Sequence, residues 1–342
     1  MITLDQFNIL IQINNKNIKI INDNNYKYLI DNNYIYNNTL TNKGILELNK
    51  YKIDNAIIMA AGKSTRFTPL SLEKHKALTI VNGEVLIERQ IKQLIEKNIN
   101  NIIIVVGYLK EQFEYLVDKY NVTIIENNMY NIRNNNSSIY VVKDYLRNSY
   151  ICSSDNYFMT NVFEEYNYQA FYSSIYIKGN TDEYCLTTDN NNLITNVKIG
   201  GNDSYIMLGH VYFDETFSNK FINILESIYN QEETKNLLWE QIYMQYINEL
   251  HMYIKPYNNN CIFEFDTIDE LRLFDNTYIN NIDSNIIRNI CNYFKCNINE
   301  LTNFCPCTKD VVGSFTFNYN NNKYNYNYNE TSYSIIMTNN II

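Results

Sequence analysis

Asn55-Ala56-Ile57-Ile58-Met59-Ala60-Ala61-Gly62-Lys63-Ser64-Thr65-Arg66-Phe67-Thr68-Pro69-Leu70 is the stretch from which the rest of the chain can be read. Residues 55–61 form a short apolar run, the pattern of a strand buried on both faces. The run passes directly into small residues and two cations, Lys63 and Arg66, at the strand's carboxyl end. Small side chains let backbone N–H groups approach phosphate oxygens, and a guanidinium such as that of Arg66 bridges them. Ala60, Ala61, Gly62, Lys63, Ser64 and Thr65 are therefore the expected phosphate cradle. A second basic element, Glu73-Lys74-His75-Lys76-Ala77-Leu78, places Lys76 ten residues beyond Arg66. Cradle and distant lysine together can hold both ends of a triphosphate, whereas either alone reads as a surface turn with solvated lysines.

Working outward, Leu86, Ile87, Ile91, Leu94 and Ile95 recur at helical spacing. Residues 102–106 are a second buried strand, 111–120 a helix, 122–125 a third strand, 138–146 a helix and 150–153 a fourth strand. This alternation predicts an α/β fold with a doubly wound, Rossmann-like sheet, mixed but mainly parallel, whose ligands lie beyond the strands' carboxyl ends. After Asp155 the expected extended segments are 172–177, 185–188, 193–199 and 206–213, with a hairpin turn at Asp189-Asn190-Asn191-Asn192. Helices over 216–229 and 237–248 follow, then strands over 252–254 and 262–265. Thr267 caps a helix that ends near Asp275.

With 342 residues, 45% hydrophobic and 19% charged, the chain can bury a large core and has room for additions at its ends. The expected units are 1–52, 53–276 and 277–342. A net charge of −9 argues against tight non-specific binding to nucleic acid, which needs clustered Lys and Arg. The 32 tyrosines and the many asparagines are spread throughout, so an isolated Tyr or Asn carries little weight. There is no run of eighteen apolar residues, and the first residues lack the pattern of a signal peptide, so no membrane insertion and a cytoplasmic protein are expected. Its seven cysteines should be thiols, and Cys305-Pro306-Cys307 lacks the further ligands of a zinc site.

The loop, Arg66, Pro69-Leu70 and Lys76-Ala77-Leu78 together resemble nucleotidyltransferases of the sugar-nucleotidyltransferase-like superfamily. Gly83-Glu84-Val85-Leu86-Ile87-Glu88-Arg89-Gln90-Ile91, Val105-Val106-Gly107-Tyr108-Leu109-Lys110-Glu111-Gln112-Phe113, and Ser149-Tyr150 followed by Asp155-Asn156-Tyr157 are similar to bacterial choline-phosphate cytidylyltransferases. The resemblance spans roughly residues 54–275. It implies a Mg²⁺-dependent reaction of CTP with phosphocholine to give CDP-choline and pyrophosphate, with Arg66 and Lys76 as catalytic cations. Two positions depart from the family: Ser64 stands where a second glycine is usual, and Ser153-Ser154-Asp155 replaces Asp-Ala-Asp, keeping the aspartate assigned to magnesium. Alternation puts Glu264 and Asp266 of Phe263-Glu264-Phe265-Asp266 on one face, and such hard oxygen donors suit Mg²⁺. The resemblance matches both to metal positions, and matches Gly107, Tyr108, Asn134, Asn135 and Ser138 to nucleotide contacts.

A quaternary ammonium needs aromatic faces and a nearby acid. Tyr184, Tyr212 and Trp239, with Glu240 and also Asp182 and Glu183 beside them in sequence, are the expected acceptor site. The family often has Trp at the position of Tyr184. The acceptor's phosphate has a second pKa of about 6 and needs no general base, so His75, His210 and His251 should be structural or surface residues. The competing readings are another acceptor, either a phospho-alcohol or a sugar 1-phosphate, and a non-catalytic DNA-binding regulator that senses a nucleotide.

The two ends read as appendages. The first unit places Leu4, Phe7, Leu10 and Ile11 on one helix face and closes with a segment like the tail of a winged helix, but has no basic recognition helix. A packing or homodimer-forming role is its alternative to DNA reading. The last unit, with a helix through Ile286, Ile287, Ile290 and Phe294 and a hairpin over 314–328, resembles the start of a choline-kinase-like domain without the catalytic lobe. It is expected to be inactive, as a remnant or a docking element for a separate kinase.

Overall fold

In the computed structural model, which describes residues 2–17, 24–307, 313–329 and 332–338, the apolar runs pair into one seven-stranded sheet. Its strands are β1 (Asn55–Ala60), β2 (Ile102–Val106), β3 (Thr123–Glu126), β4 (Ser149–Ser153), β5 (Phe171–Thr188), β6 (Ile194–Phe213) and β7 (Tyr253–Tyr257). They lie in the order β7-β5-β6-β4-β1-β2-β3. Only β6 runs against the others, pairing antiparallel with β4 and β5. The remaining pairs are parallel.

The central position of β1 accounts for its apolar run. Ile57 faces Ile103 on one side and Ile151 on the other, and both faces of the sheet are covered. Ile58, Ile104 and Cys152 pack beneath Ile87, Ile91 and Leu94 of the helix Leu86–Ile95. Ile57, Val105 and Phe213 pack against Phe217, Phe221 and Leu225 of the helix Glu215–Ile228, which Asp214 caps. Each such buried side chain contributes roughly 1.5–3 kcal/mol. The alternation of the two clusters along every strand decides which residues can reach a ligand.

The four extended segments expected after Asp155 are two long strands, β5 and β6, because bulges near Ile177 and Thr181 keep the ladder going where the apolar pattern breaks. Their turn is the expected one, with the Asp189 carboxylate accepting from the N–H groups of Asn191 (2.8 Å) and Leu193 (2.9 Å). Two helices are shorter than their sequence pattern: Asn136–Val141 gives way to a 3-10 turn at Lys143–Tyr145, and Trp239–Gln245 starts after Leu238. Thr267 caps Ile268–Phe274 in a reciprocal box with Glu270.

At the amino end, helices Leu4–Asn14, Asn24–Asp31 and Asn42–Asn49 surround a two-stranded hairpin, Ile35–Tyr36 with Thr39–Leu40. The first helix buries Phe7, Ile9, Leu10 and Ile13, while Leu4, expected on that face, is exposed in the first turn. At the carboxyl end the expected hairpin is the middle of a four-stranded sheet: Thr302–Pro306, Ser314–Tyr319, Asn322–Asn329 and Ser332–Met337. Phe315, Phe317 and Tyr326 pack from it onto Ile286, Ile287 and Ile290 of the helix Asn285–Phe294. Among the described residues no helix is long and apolar enough to cross a membrane, and the seven cysteines are free thiols.

Candidate active site

β1 delivers its loop to the sheet's carboxyl edge, where neighbours fix it. Tyr108 N–H donates to the Ala61 carbonyl (3.1 Å). A Cβ on Gly107 would come within 2.8 Å of that carbonyl oxygen and of the Tyr130 ring, so only glycine fits behind the loop. Ser64, which stands where the sequence resemblance expects a second glycine, adopts the left-handed conformation, φ 50° and ψ 47°, that glycine takes most readily. The 3-10 turn Thr65–Phe67 then aims Arg66 outward. His75 donates from Nε2 to the Gly62 carbonyl (3.1 Å) and accepts at Nδ1 from Ala77 N–H (3.1 Å). Both ring nitrogens are thus engaged in the neutral form, and burial pushes the imidazole down to about 4. His75 is a brace between the loop and the 3-10 turn Lys76–Leu78, with no lone pair left for a substrate proton.

Lys76, buried, reaches the Asp155 carboxylate (2.9 Å) at the end of β4 and the Asp266 carboxylate (3.1 Å) after the strand Ile262–Glu264. Arg66 meets the other Asp266 oxygen (2.5 Å). Carboxylate oxygens of Asp155, Glu264 and Asp266 lie within 4.8 Å of one another, so residues far apart in the chain converge. Desolvation opposes ionisation of both Lys76 and Asp155, but their mutual attraction outweighs it, raising the lysine and lowering the aspartate. Glu264 is raised to about 8, chiefly by the negative charge of Asp155 and then by desolvation, although its side chain keeps solvent access. Gln90, fully buried, donates to the carbonyls of Ser153 and Asn156 (2.9 Å each) and so holds the turn that carries Asp155. Three crowded carboxylates with only oxygen donors fit a hard divalent cation such as Mg²⁺.

A cleft of about 220 Å³ opens beside this cluster. Of the expected residues it is lined by Ala61, Gly62, Ser64, Asn134, Asn135, Ser138 and Asp155. Ala60, Lys63, Thr65, Gly107 and Tyr108 belong to the loop and its support, outside that lining. The lining also includes Asn127, Tyr130 and Arg133, which sequence reasoning missed. Asn127 follows β3 directly and donates to Ser137 Oγ (2.9 Å) and Ser138 Oγ (3.1 Å). Its place just beyond a strand's carboxyl end was the available signal. Arg133 stacks its guanidinium 3.9 Å from the Tyr229 ring centroid and donates to the Tyr229 carbonyl.

Asn135 links the cleft to an aromatic and acidic cluster: its side chain donates to Glu240 (3.1 Å) and accepts from Trp239 N–H (2.7 Å). Trp239 stacks on Tyr172 (centroids 5.9 Å apart, planes at 9°), the Tyr172 hydroxyl donates to Glu240, and Tyr184 packs against the same cluster. Burial raises the Glu240 carboxyl to about 7. Tyr212 does not join them. It packs with Tyr150 and Phe171 on the opposite face of the sheet, because successive residues of β6 point to opposite sides. Tyr172, on the same face as Trp239, stands where Tyr212 was expected. Its signal was phase along β5, which sequence periodicity alone did not fix. His210 is fully buried among aromatic rings, far from a ligand role.

The MobA-like NTP transferase domain matches residues 56–166. The choline-phosphate cytidylyltransferase of Streptococcus pneumoniae (strain ATCC BAA-255 / R6) is 37% identical over 217 residues, covering 64% of this chain and 95% of that protein. The 2-aminoethylphosphonate cytidylyltransferase of Lancefieldella rimae is 34% identical over 229 residues, covering 66% of this chain and 93% of its own length. The solved structure of the CTP:phosphocholine cytidylyltransferase from Streptococcus pneumoniae superposes with a TM-score of 0.63 at 36% identity, over 65% of this chain and 97% of that one.

Proposed function

The chain belongs to the choline-phosphate cytidylyltransferase family, and from that premise we propose that it condenses CTP with phosphocholine to CDP-choline and pyrophosphate. The observation that carries the reading is the meeting of Lys76 and Arg66 with Asp155, Glu264 and Asp266 beside the loop. Asp155, Glu264 and Asp266 would hold Mg²⁺, which supplies charge neutralisation at the triphosphate. Arg66 and Lys76 offset repulsion between the two anionic substrates and stabilise the pyrophosphate that leaves. The loop N–H groups bind phosphate oxygens, and Asn134, Asn135 and Ser138 orient the nucleotide through amide and hydroxyl groups. The acceptor's phosphate, ionised near neutral pH with a second pKa of about 6, attacks the α-phosphorus in line and needs positioning more than a base. His75 is consistent with this, since its nitrogens are both engaged.

Tyr172, Tyr184 and Trp239 with Glu240 support a quaternary ammonium acceptor. Aromatic faces and one carboxylate attract a cation that donates no hydrogen bonds. The primary ammonium of 2-aminoethylphosphonate, the second acceptor to weigh, has three N–H donors to satisfy. Comparing kcat/KM for phosphocholine and 2-aminoethylphosphonate with CTP and Mg²⁺ tests the assignment: preference for the phosphonate would move the acceptor while leaving the transferase intact.

The first unit, whose helix Asn24–Asp31 has Lys27 as its one cation, is proposed to pack or to form a homodimer rather than to read DNA. The last unit is proposed to lack kinase activity, so that choline and ATP give no phosphocholine with this chain alone. A cytoplasmic location fits a reaction that consumes CTP.

A further inference from the structure

The segment bearing Arg66 and Lys76 is gripped from outside by the C-terminal unit. Leu70 and Leu72, in the 3-10 turn between the two cations, pack into the cluster built on Ile286, Ile287 and Phe317. Next to them the Glu73 carboxylate accepts from the Ser284 hydroxyl (2.5 Å) and from the N–H groups of Asn285 (2.9 Å) and Ile286 (3.4 Å). A side chain of the catalytic unit therefore caps the helix Asn285–Phe294, at the end where its dipole favours an anion. The strand Thr302–Pro306 passes beside the turn Thr65–Phe67 that aims Arg66.

The same unit holds the acidic wall. The helix Ile268–Phe274 begins two residues after Asp266. Its Arg272 donates to the carbonyls of Leu301 (2.7 Å) and Ile298 (3.0 Å), and its Asp269 accepts from Asn303 N–H (2.9 Å). Ile268 lies in the same apolar cluster as Leu70 and Leu72. The cationic and acidic segments, whose side chains meet as Lys76 with Asp155 and Asp266, are thus both fastened to the same C-terminal unit.

We propose that the C-terminal unit is a positioning brace for the transferase site, and that Glu73 is the positioning residue through which it acts on Lys76. This rests on the cytidylyltransferase reading. The path is short. Gln112 donates to the Glu73 carbonyl (3.1 Å) and accepts from His75 N–H (2.9 Å), and His75 in turn holds Gly62. Freeing Glu73 loosens the backbone three residues before Lys76, and small misplacements of catalytic groups cost up to about a hundredfold in rate.

The test uses the full chain, measuring pyrophosphate release from CTP and phosphocholine together with amide hydrogen exchange across residues 70–78. Glu73→Ala should lower kcat about tenfold, leave KM for phosphocholine unchanged and speed exchange in that segment. Glu73→Gln, which keeps an acceptor oxygen, should recover part of the rate. Asn285→Pro removes one N–H donor to Glu73 from the tail side, at a first helical position where proline is tolerated, and should reproduce the effect in miniature. It decides the matter if Glu73→Ala does not fold. Wild-type kcat and exchange in these variants, or a kcat loss that only follows the fraction folded, overturns the brace. If the wild-type chain releases no pyrophosphate, the functional reading fails, and the exchange measurement alone decides whether the tail holds the segment.

Discussion

Replacing Ser64 by glycine should stabilise this protein without harming nucleotide binding. Ser64 sits at φ 50° and ψ 47°, where the Cβ of an L-residue crowds the next carbonyl oxygen at a cost of about 1–2 kcal/mol. Its hydroxyl makes no capping hydrogen bond to the turn it precedes, so no polar contact offsets the strain. Glycine removes that strain but loses about 0.5–1 kcal/mol more backbone entropy on folding. The difference is a net gain of roughly 0–1.5 kcal/mol, or a rise in Tm of up to about 2 °C for a chain of this size. Thermal unfolding followed by circular dichroism, with KM for CTP measured in parallel, reads both quantities. KM should stay the same or fall, because the backbone N–H groups of the loop are retained. A variant less stable than wild type by more than about 0.5 kcal/mol would show that the serine side chain stabilises the loop, and that the strain argument is wrong.

Glu264→Gln should cut pyrophosphate release about 10²–10³-fold and weaken its dependence on added Mg²⁺. Its thermal stability without added metal should hold or rise, since the crowding by Asp155 that raises Glu264 disappears; a fall in stability with full activity would count against the metal site. Glu240 is raised from 4.5 to about 7 in the fold, so its contribution to stability is complete below about pH 4.5 and is lost as pH rises through about 7. Glu240→Gln should flatten that decline in a series of unfolding scans. It should also abolish a fall in KM for phosphocholine as wild-type Glu240 ionises near pH 7; an identical pH profile of KM in both proteins refutes a role in holding the cation. Tyr212→Phe should leave kcat and KM unchanged and raise Tm slightly, because the buried Tyr212 hydroxyl has no hydrogen-bond partner. Tyr172→Phe, by contrast, should raise the acceptor KM.

Much of this site was legible because its chemistry sits at strand ends, and strand ends follow from apolar runs. Residues 55–61 and 102–106 announce their strands, so Ala61, Gly62 and Gly107 fall at the sheet's edge without further information. That Lys76, Asp155 and Asp266 serve one site was implied by the family resemblance, while the ion pairs between them needed coordinates, since 79 and 190 residues of chain separate the partners. Facing is where sequence fell short. Tyr172 and Tyr212 lie in equally apolar strands, and a shift of one residue moves a side chain to the other face. The merging of four segments into β5 and β6 was hidden for a related reason, because bulges preserve hydrogen bonding while breaking the alternation. The contacts of the tail with Glu73 left no trace in local pattern, since a lone glutamate in a polar turn looks solvated until a distant helix end meets it.

The most direct test of the central claim is pyrophosphate release with Mg²⁺, crossing CTP, UTP, ATP and GTP with phosphocholine, 2-aminoethylphosphonate and glucose 1-phosphate. The site described predicts turnover with CTP and phosphocholine well above every other pair, abolished by chelation of the metal and by Asp155→Asn. Turnover with a sugar phosphate alone, or none from CTP with any acceptor, would contradict it.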